Sequence, residues 1–208
     1  TFKEAIFSVI GLTGTLVVPT FSYSYCNNQI YDPKKTSSVC GVFSEFIRKE
    51  TDSKRSFDAN FSIAAIGNKS KYFTENCSSH SFDKNSFWER FLLENGKFCN
   101  FNFDSGTTFF HYVEKILDVP YRFDKEFPGT SIINEKKMKN SFIHFVYDKS
   151  NSFHEPEFEK FHKKAIELKL VNISNLGKGQ IVCISAQDIL ELIKTEIKSN
   201  PSFLIKNQ

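Results

Sequence analysis

The feature that most constrains this chain is the shortness of its apolar segments and the alternation of two hydrophobic periods along it. The longest apolar stretch, Ala5 to Val18, is broken by Ser8, Gly11, Thr13 and Gly14. A membrane-crossing helix needs about 20 apolar residues, so this stretch is too short. It also lacks the charged start of a signal peptide. A soluble, cytoplasmic chain is expected. Helical spacing is found in Phe2–Ile10, which Gly11 stops, and in Val42–Lys49. It recurs in Ser86–Leu93, with Phe87, Trp88, Phe91 and Leu92 on one side. A further helix capped by Thr107 or Thr108 runs through Leu117 and stops before Pro120. Pro156 is placed to begin a helix to Leu168 with Phe158, Phe161, Ala165 and Leu168 inward. Ser185 caps the last helix, with Asp188 at the capping-box position and Ile189, Leu190, Ile193 and Ile197 on its inner face. Strands are expected at Thr15–Val18, at Phe98 to Phe103, at Ser141–Tyr147 and at Gln180–Ile184. Phe21 to Ser38 reads as a long loop and Arg55 to Gly67 has mixed character. The elements interleave without a regular βαβ rhythm, which predicts an α/β fold of the mixed α+β kind.

The 208 residues fit one sizeable domain or two small ones, and no clear linker divides them. Lys plus Arg is 27 and Asp plus Glu is 24, a net +3. That balance is too weak to argue for a nucleic-acid or membrane partner. The five cysteines, Cys26, Cys40, Cys77, Cys99 and Cys183, are scattered and odd in number. No C-x-x-C and no Cys/His group with zinc spacing occurs, so reduced thiols and no metal are expected.

His111 and Glu114 form the sharpest candidate pair. At i and i+3 on a helix they share a face. A carboxylate beside an imidazole orients the ring and raises its basicity, which suits a general base at neutral pH. The preceding turn, Asp104-Ser105-Gly106-Thr107-Thr108, supplies backbone N–H groups and hydroxyls suited to an anion or a developing oxyanion. The same spacing also fits a purely structural pair. Arg55-Ser56, with Ser62 and Gly67 downstream, fits either a phosphate contact or a charged loop. Gly11-Leu12-Thr13-Gly14-Thr15 lacks the Lys-Ser/Thr ending of a phosphate loop and reads as a turn. Tyr121-Arg122-Phe123 with Lys125 is a possible sugar or phosphate clasp, whereas His80, His154 and His162 have no evident partner in the sequence.

Read together, several segments resemble one family. Gly14 to Ser22 resembles a GTL-x-x-PTF-S segment, and Tyr31-Asp32-Pro33 with Thr36-Ser37-Ser38 resembles F-D-P-x-x-T-P-S. Gly41 to Arg48 resembles G-x-x-x-E-x-F-R, with Glu45 and Arg48 in place. Arg55 to Gly67 resembles RS-x-HP-x-x-S-x-A-A-x-G, and Thr107 to Glu114 resembles TT-x-x-H-x-x-E. Gly179 to Leu204 resembles a C-terminal strand and helix. These are the motifs of the aminoglycoside 3-N-acetyltransferases (antibiotic N-acetyltransferases), in order over most of the chain. The resemblance implies a single acetyltransferase-like domain over residues 1–208, with a central mixed sheet and flanking helices. It implies acetyl-CoA as cosubstrate, no metal, and an amino group of an aminoglycoside or amino sugar as acceptor. His111 would be the general base, Glu114 would orient it, and Thr108 would sit near the reacting thioester. Arg55, Ser56 and Thr107 would face the cofactor. Tyr31, Asp32, Glu45 and Asp58 would face the amino sugar.

Two departures stand out. Asp58-Ala59 replaces the family's His-Pro, and an acid there implies a different acceptor, such as a surface-carbohydrate or nucleotide-linked amino sugar. Thr1 also aligns inside the family domain, after a strand and a Ser-rich segment that helps hold coenzyme A. The alternative is thus a truncated, inactive acetyltransferase-like domain that binds sugar or a complementing chain, and a homodimer is also open. An acyl hydrolase is disfavoured because no G-x-S-x-G nucleophile turn is present.

Overall fold

The computed structural model describes residues 1–206. Its contacts divide the chain into two units, one of Thr1–Phe87 with Lys125–His144, the other of Trp88–Asp124 with the chain from Phe145 onward. The first unit holds α1 (Phe2–Ile10), β1 (Thr15–Pro19), α2 (Val42–Lys49), β2 (Lys54–Arg55), β3 (Ile63–Gly67) and α3 (Ser70–Thr74). β3 is the middle strand of a three-stranded sheet, ordered β1-β3-β2, with both pairs antiparallel. Its Ile-Ala-Ala-Ile run is buried throughout, as an apolar run flanked by neighbours should be. Pro19 closes an edge strand, where its missing N–H costs least. Gly67 ends β3 at φ 120°, and a Cβ there would collide with the backbone of Gly14 and Thr15. Val18, Ile47, Ala64 and Ile66 form the core beneath, with Phe7, Leu16 and Phe43 against it. A second cluster gathers Tyr25, Tyr31, Ala59 and Phe142. The Phe21–Ser38 segment carries neither helix nor strand, as its composition predicts, and its one ladder contact is a Tyr31–Ser131 bridge.

The second unit follows from α4 (Phe87–Leu93) through β4 (Lys97–Phe101) to α5 (Phe109–Ile116). A long hairpin, β5 (Arg122–Ile133) and β6 (Lys136–Tyr147), comes next; its turn end belongs to the first unit and its open end to the second. Then α6 (Glu159–Glu167), β7 (Asn172–Leu176), β8 (Gly179–Ser185) and α7 (Ala186–Ser199) complete the chain. β8 is the middle of a sheet ordered β4-β8-β7, again antiparallel in both pairs. Val182 and Ile184 point to its buried side, and α7 buries Ala186, Ile189, Leu192 and Ile193. An aromatic group of Trp88, Phe98, Phe109 and Tyr112 fixes α5 from one side, and Phe158 and Phe161 pack on Phe110 from another.

The mixture of helix and sheet is the expected one. Among the described residues its strands pair in three sheets, and the β1–β3, β4–β8 and β7–β8 ladders are antiparallel. Several boundaries move for identifiable reasons. α6 begins at Glu159 rather than at Pro156, because residues 155–157 are held extended against the C-terminal segment. There Glu157 N–H donates to the Leu204 carbonyl at 2.9 Å, and Lys206 N–H to the Glu155 carbonyl at 3.0 Å. Leu168 lies at the helix end and is exposed, and in α7 it is Leu192, not Leu190 or Ile197, that is buried. In α4 the buried side holds Trp88 and Arg90, while Phe87, Phe91 and Leu92 are half-buried. α3, β7 and most of β5 carry no clear periodic signal in the sequence. The hairpin turns at Asn134 and Glu135, whose φ values of 48° and 64° match the favoured two-residue turn.

Candidate active site

The candidate site is built on α5 in the second unit. α5 starts because the chain leaves β4 through a tight loop held by Asn100. The Asn100 amide donates to the carbonyls of Asp104 (2.7 Å) and Gly106 (2.9 Å). Asp104 Oδ1 accepts from Gly106 N–H at 2.7 Å, and the Ser105 hydroxyl and N–H both meet Nδ1 of His162. His162 therefore does have a partner, and its role is to anchor this loop. Thr108 is the N-cap residue, yet its side chain makes no cap bond. The hydroxyl oxygen of Thr107 instead accepts from Phe109 N–H at 3.3 Å.

One turn on, His111 Nδ1 meets Glu114 Oε2 at 2.7 Å, so the i, i+3 pair forms as expected. Glu114 is completely buried, and the His111 side chain is 19% exposed. A carboxylate oxygen accepts, so Nδ1 carries the proton and Nε2 is the basic nitrogen. A third group joins them, one the sequence did not pair with α5. Arg122, at the start of β5, brings Nε to 2.8 Å from the same Glu114 oxygen. That contact is electrostatic rather than an aligned hydrogen bond, because Arg122 Nε and Nη2 and Glu114 Oε1 all lack a hydrogen-bond partner. Arg122 Nη1 donates to the Phe145 carbonyl at 3.1 Å, and the guanidinium lies over the Tyr147 ring. The Tyr121-Arg122-Phe123 segment is thus not an exposed clasp. Its arginine faces inward, and only Phe123 is exposed.

The charges decide the state of the imidazole. Burial first, and then the Arg122 charge, push His111 below its ordinary value, against the opposite pull of Glu114. Burial alone would raise Glu114, but the His111 hydrogen bond and the Arg122 cation outweigh it and hold it below the usual carboxylate range. Glu114 and Arg122 already balance one another, so His111 rests neutral at neutral pH and can accept a proton at Nε2. Burial, followed by the Glu114 carboxylate, also pushes the Tyr121 phenol up. Tyr121 belongs at the same time to the wall of a cavity of about 260 Å³, together with Asn151, His154 and Lys206. Among the described residues no group of three or more His, Cys, Asp or Glu is placed to hold a metal.

The remaining expected site residues lie in the first unit. Arg55 donates from Nε to the hydroxyls of Thr20 and Ser62 at 3.2 Å each, and from Nη2 to the Thr20 carbonyl at 2.7 Å. Its Nη1 serves the carbonyls of Pro33 and Thr36, and the guanidinium sits 5.2 Å above the Tyr31 ring. Ser56 Oγ accepts from Ile63 N–H at 3.0 Å. Tyr31 is fully buried, and its hydroxyl donates to the Ser56 carbonyl at 2.9 Å. Asp32 accepts from the N–H groups of Lys34 and Lys35 in a local turn. Glu45 forms a two-pronged pair with Arg48 at 2.7 and 2.6 Å and accepts from Ser38 N–H. Arg48 holds its carboxyl well down, at about 2.

Asp58 begins a hydrogen-bonded chain. One oxygen accepts from the N–H groups of Asn60 and Phe61, and the other accepts from the Ser81 hydroxyl. Ser81 Oγ meets His144 Nδ1 at 2.7 Å, and His144 Nε2 meets Asn60 Nδ2 at 2.6 Å. Asn60 Oδ1 accepts from Tyr25 and Cys26 N–H, which fixes its amide so that Nδ2 donates to His144. Sequence reasoning missed His144, because its partners come from two distant loops.

Comparison with known proteins agrees with these motifs. The family model described as aminoglycoside 3-N-acetyltransferase matches residues 1–198, and the chain belongs to that family. A comparison with curated proteins finds no significant match. Among solved structures, sisomicin-bound AAC-VIa is similar at a TM-score of 0.82 and 17% identity, covering 95% of this chain and 84% of that one. AAC-IIIb in a binary complex with CoASH is similar at 0.80 and 16% identity, covering 100% and 84%. The apoenzyme of AAC(3)-IVa follows at 0.76 and 19%, covering 99% and 76%. At these identities the structural likeness establishes the fold. Among the described residues no helix is long and apolar enough to cross a membrane.

Proposed function

We propose that this chain transfers the acetyl group of acetyl-CoA to an amino group of an aminoglycoside or related amino sugar. Family membership supports the reaction class, and the buried His111–Glu114–Arg122 cluster is the observation that carries it to particular residues. An amine attacks a thioester only as the neutral base. Nε2 of His111 takes the proton that the attacking nitrogen sheds. Glu114 holds the ring in the tautomer that leaves Nε2 basic, and the imidazolium that forms is stabilised by the same carboxylate. The new C–N bond forms at the carbonyl carbon, the C–S bond breaks, and the coenzyme A thiol leaves with a proton. Thr108, whose hydroxyl makes no cap bond, serves the developing oxyanion, and Thr107 stands next to it on the cofactor side.

Arg55, Ser56 and Tyr31 act in this reading by fixing the loop of residues 20–38, because their polar groups are already spent within the chain. Asp32 and Glu45 are likewise engaged within the first unit, Asp32 in its own turn and Glu45 with Arg48. AAC-VIa bound to sisomicin, and AAC(3)-IVa variants with a gentamicin and with apramycin, indicate the acceptor class to try first. The test is acetyl-CoA turnover with these three drugs and simple amino sugars, read by thiol release and by product mass. One acetyl gained per thiol released is expected. Binding of acetyl-CoA with no transfer to any of the amines would overturn the proposal.

A further inference from the structure

Five scattered cysteines read as unrelated thiols in the sequence, and none of the five is joined in a disulfide in the structure. Two of them are nevertheless brought face to face. Cys99 on β4 stands directly opposite Cys183 on β8 in the antiparallel register. Whether such a pair can be bridged depends on its place in the ladder. Ala186 N–H donates to the Gly96 carbonyl, and Asn102 N–H donates to the Gln180 carbonyl. Hydrogen-bonded pairs alternate from these ends, so 98/184 and 100/182 are bonded pairs and 99/183 is a non-bonded one. Non-bonded pairs bring Cα atoms to about 4.5 Å and their side chains closest together. That lies within the about 4.4–6.8 Å that a disulfide spans.

The pair is also accessible. Val182 and Ile184 occupy the buried face of β8, so Cys183 points to the other face, where Cys99 is exposed. Burial, then the neighbouring Cys183 thiol through a hydrogen bond and its charge, push the Cys99 thiol up to about 12, in keeping with the facing register of the two residues. Cys26, Cys40 and Cys77 belong to the other unit.

We propose that Cys99 and Cys183 form a redox-modification site that closes into a cross-strand disulfide by exchange with a low-molecular-weight disulfide such as oxidised glutathione. One thiolate of the pair attacks a sulfur of oxidised glutathione, its S–S bond breaks, and the first glutathione leaves and takes up a proton. The second thiolate attacks the protein sulfur of the mixed disulfide and expels the second glutathione. The protein loses two hydrogens, and the oxidised glutathione becomes two reduced molecules. The bridge staples β4 to β8 directly before the loop that Asn100 holds in front of α5.

The test treats the native full chain with oxidised glutathione at pH 8, traps remaining thiols by alkylation and maps the peptides by mass. The expected result is a linked Cys99–Cys183 peptide pair with no retained glutathione on either residue, reversed by dithiothreitol. Cys99→Ser and Cys183→Ser should each leave the remaining cysteine trapped as a glutathione adduct. A stable glutathione adduct on Cys99 of the unaltered chain, or unreacted Cys99 and Cys183 where the denatured chain reacts, would overturn the proposal.

Discussion

Arg55 and Arg122 are both drawn out of solvent, and they are satisfied in opposite ways. In the first unit every nitrogen of Arg55 finds an oxygen: two hydroxyls and three backbone carbonyls close around it. In the second unit Arg122 makes one hydrogen bond to a carbonyl, and its Nε and Nη2 are left without one beside a shared carboxylate. A saturated guanidinium is a structural pin. An unsaturated one beside Glu114 and His111 keeps its charge acting on neighbouring groups, which is how a protein tunes a base. The contrast separates the two sets of residues that the family motifs treat alike. On the proposed reading the RS segment builds the frame, and the TT-x-x-H-x-x-E segment carries the chemistry.

The largest effect expected is on turnover. His111→Ala should lower kcat/KM for acetyl transfer about 10³-fold, the usual size for loss of a general base, with an unchanged circular dichroism spectrum. Arg122→Gln sharpens the comparison from the other side. Removing the cation relieves the depression of His111, so the acid limb of the rate profile should move to higher pH, and the rate should fall by about 10–100-fold as the base is misplaced. Arg55→Ala should act on stability instead. Stranding buried carbonyls costs about 2–3 kcal/mol, measured by urea unfolding, and the position of the acid limb should stay where it is. A shift of that limb in Arg55→Ala would erase the distinction between the two arginines.

The smallest effect concerns His144. Burial pushes its imidazole below its ordinary value, against the attraction of Asp58, with His80 adding to the depression. Its folded value is therefore lower than its unfolded one, and protonation favours the unfolded chain. The stability it contributes is complete above about 6.5 and is lost as pH falls through the folded value. His144→Gln should flatten the fall in unfolding free energy, measured in urea, between about pH 7 and 5, leaving the share due to His111. An unchanged slope would mean that the Asp58–Ser81–His144–Asn60 chain does not hold a neutral ring.

The legible parts of the molecule were those in which local sequence decides. α2, β8 and the Ser185 cap of α7 follow from apolar spacing and one hydroxyl, which accepts from Asp188 N–H at 3.0 Å. The His111–Glu114 contact follows from helical geometry alone. Arg122 was not legible as its third member, because the contact joins a helix to a strand across a turn and no spacing rule links them. β5 was hidden for a related reason. Its Arg-Phe-Asp-Lys-Glu-Phe-Pro-Gly sequence is mostly exposed and holds a proline, so pairing with β6 rather than apolar alternation makes it a strand. β7 is exposed at every position and exists through its ladder to β8. Cys99 and Cys183 were obscured likewise, since only the register reveals that they are neighbours.

The central claim is that a neutral His111, oriented by Glu114 and held low by burial and Arg122, is the base. The pH dependence of kcat/KM, measured side by side for the unaltered chain and His111→Ala, tests it most directly. The account predicts a rate that rises with pH along a single-proton limb lying below the ordinary histidine value of about 6.5, and a variant that is slow and has lost that limb. A variant that keeps both the limb and the rate would contradict it, and would place the proton acceptor elsewhere in the molecule.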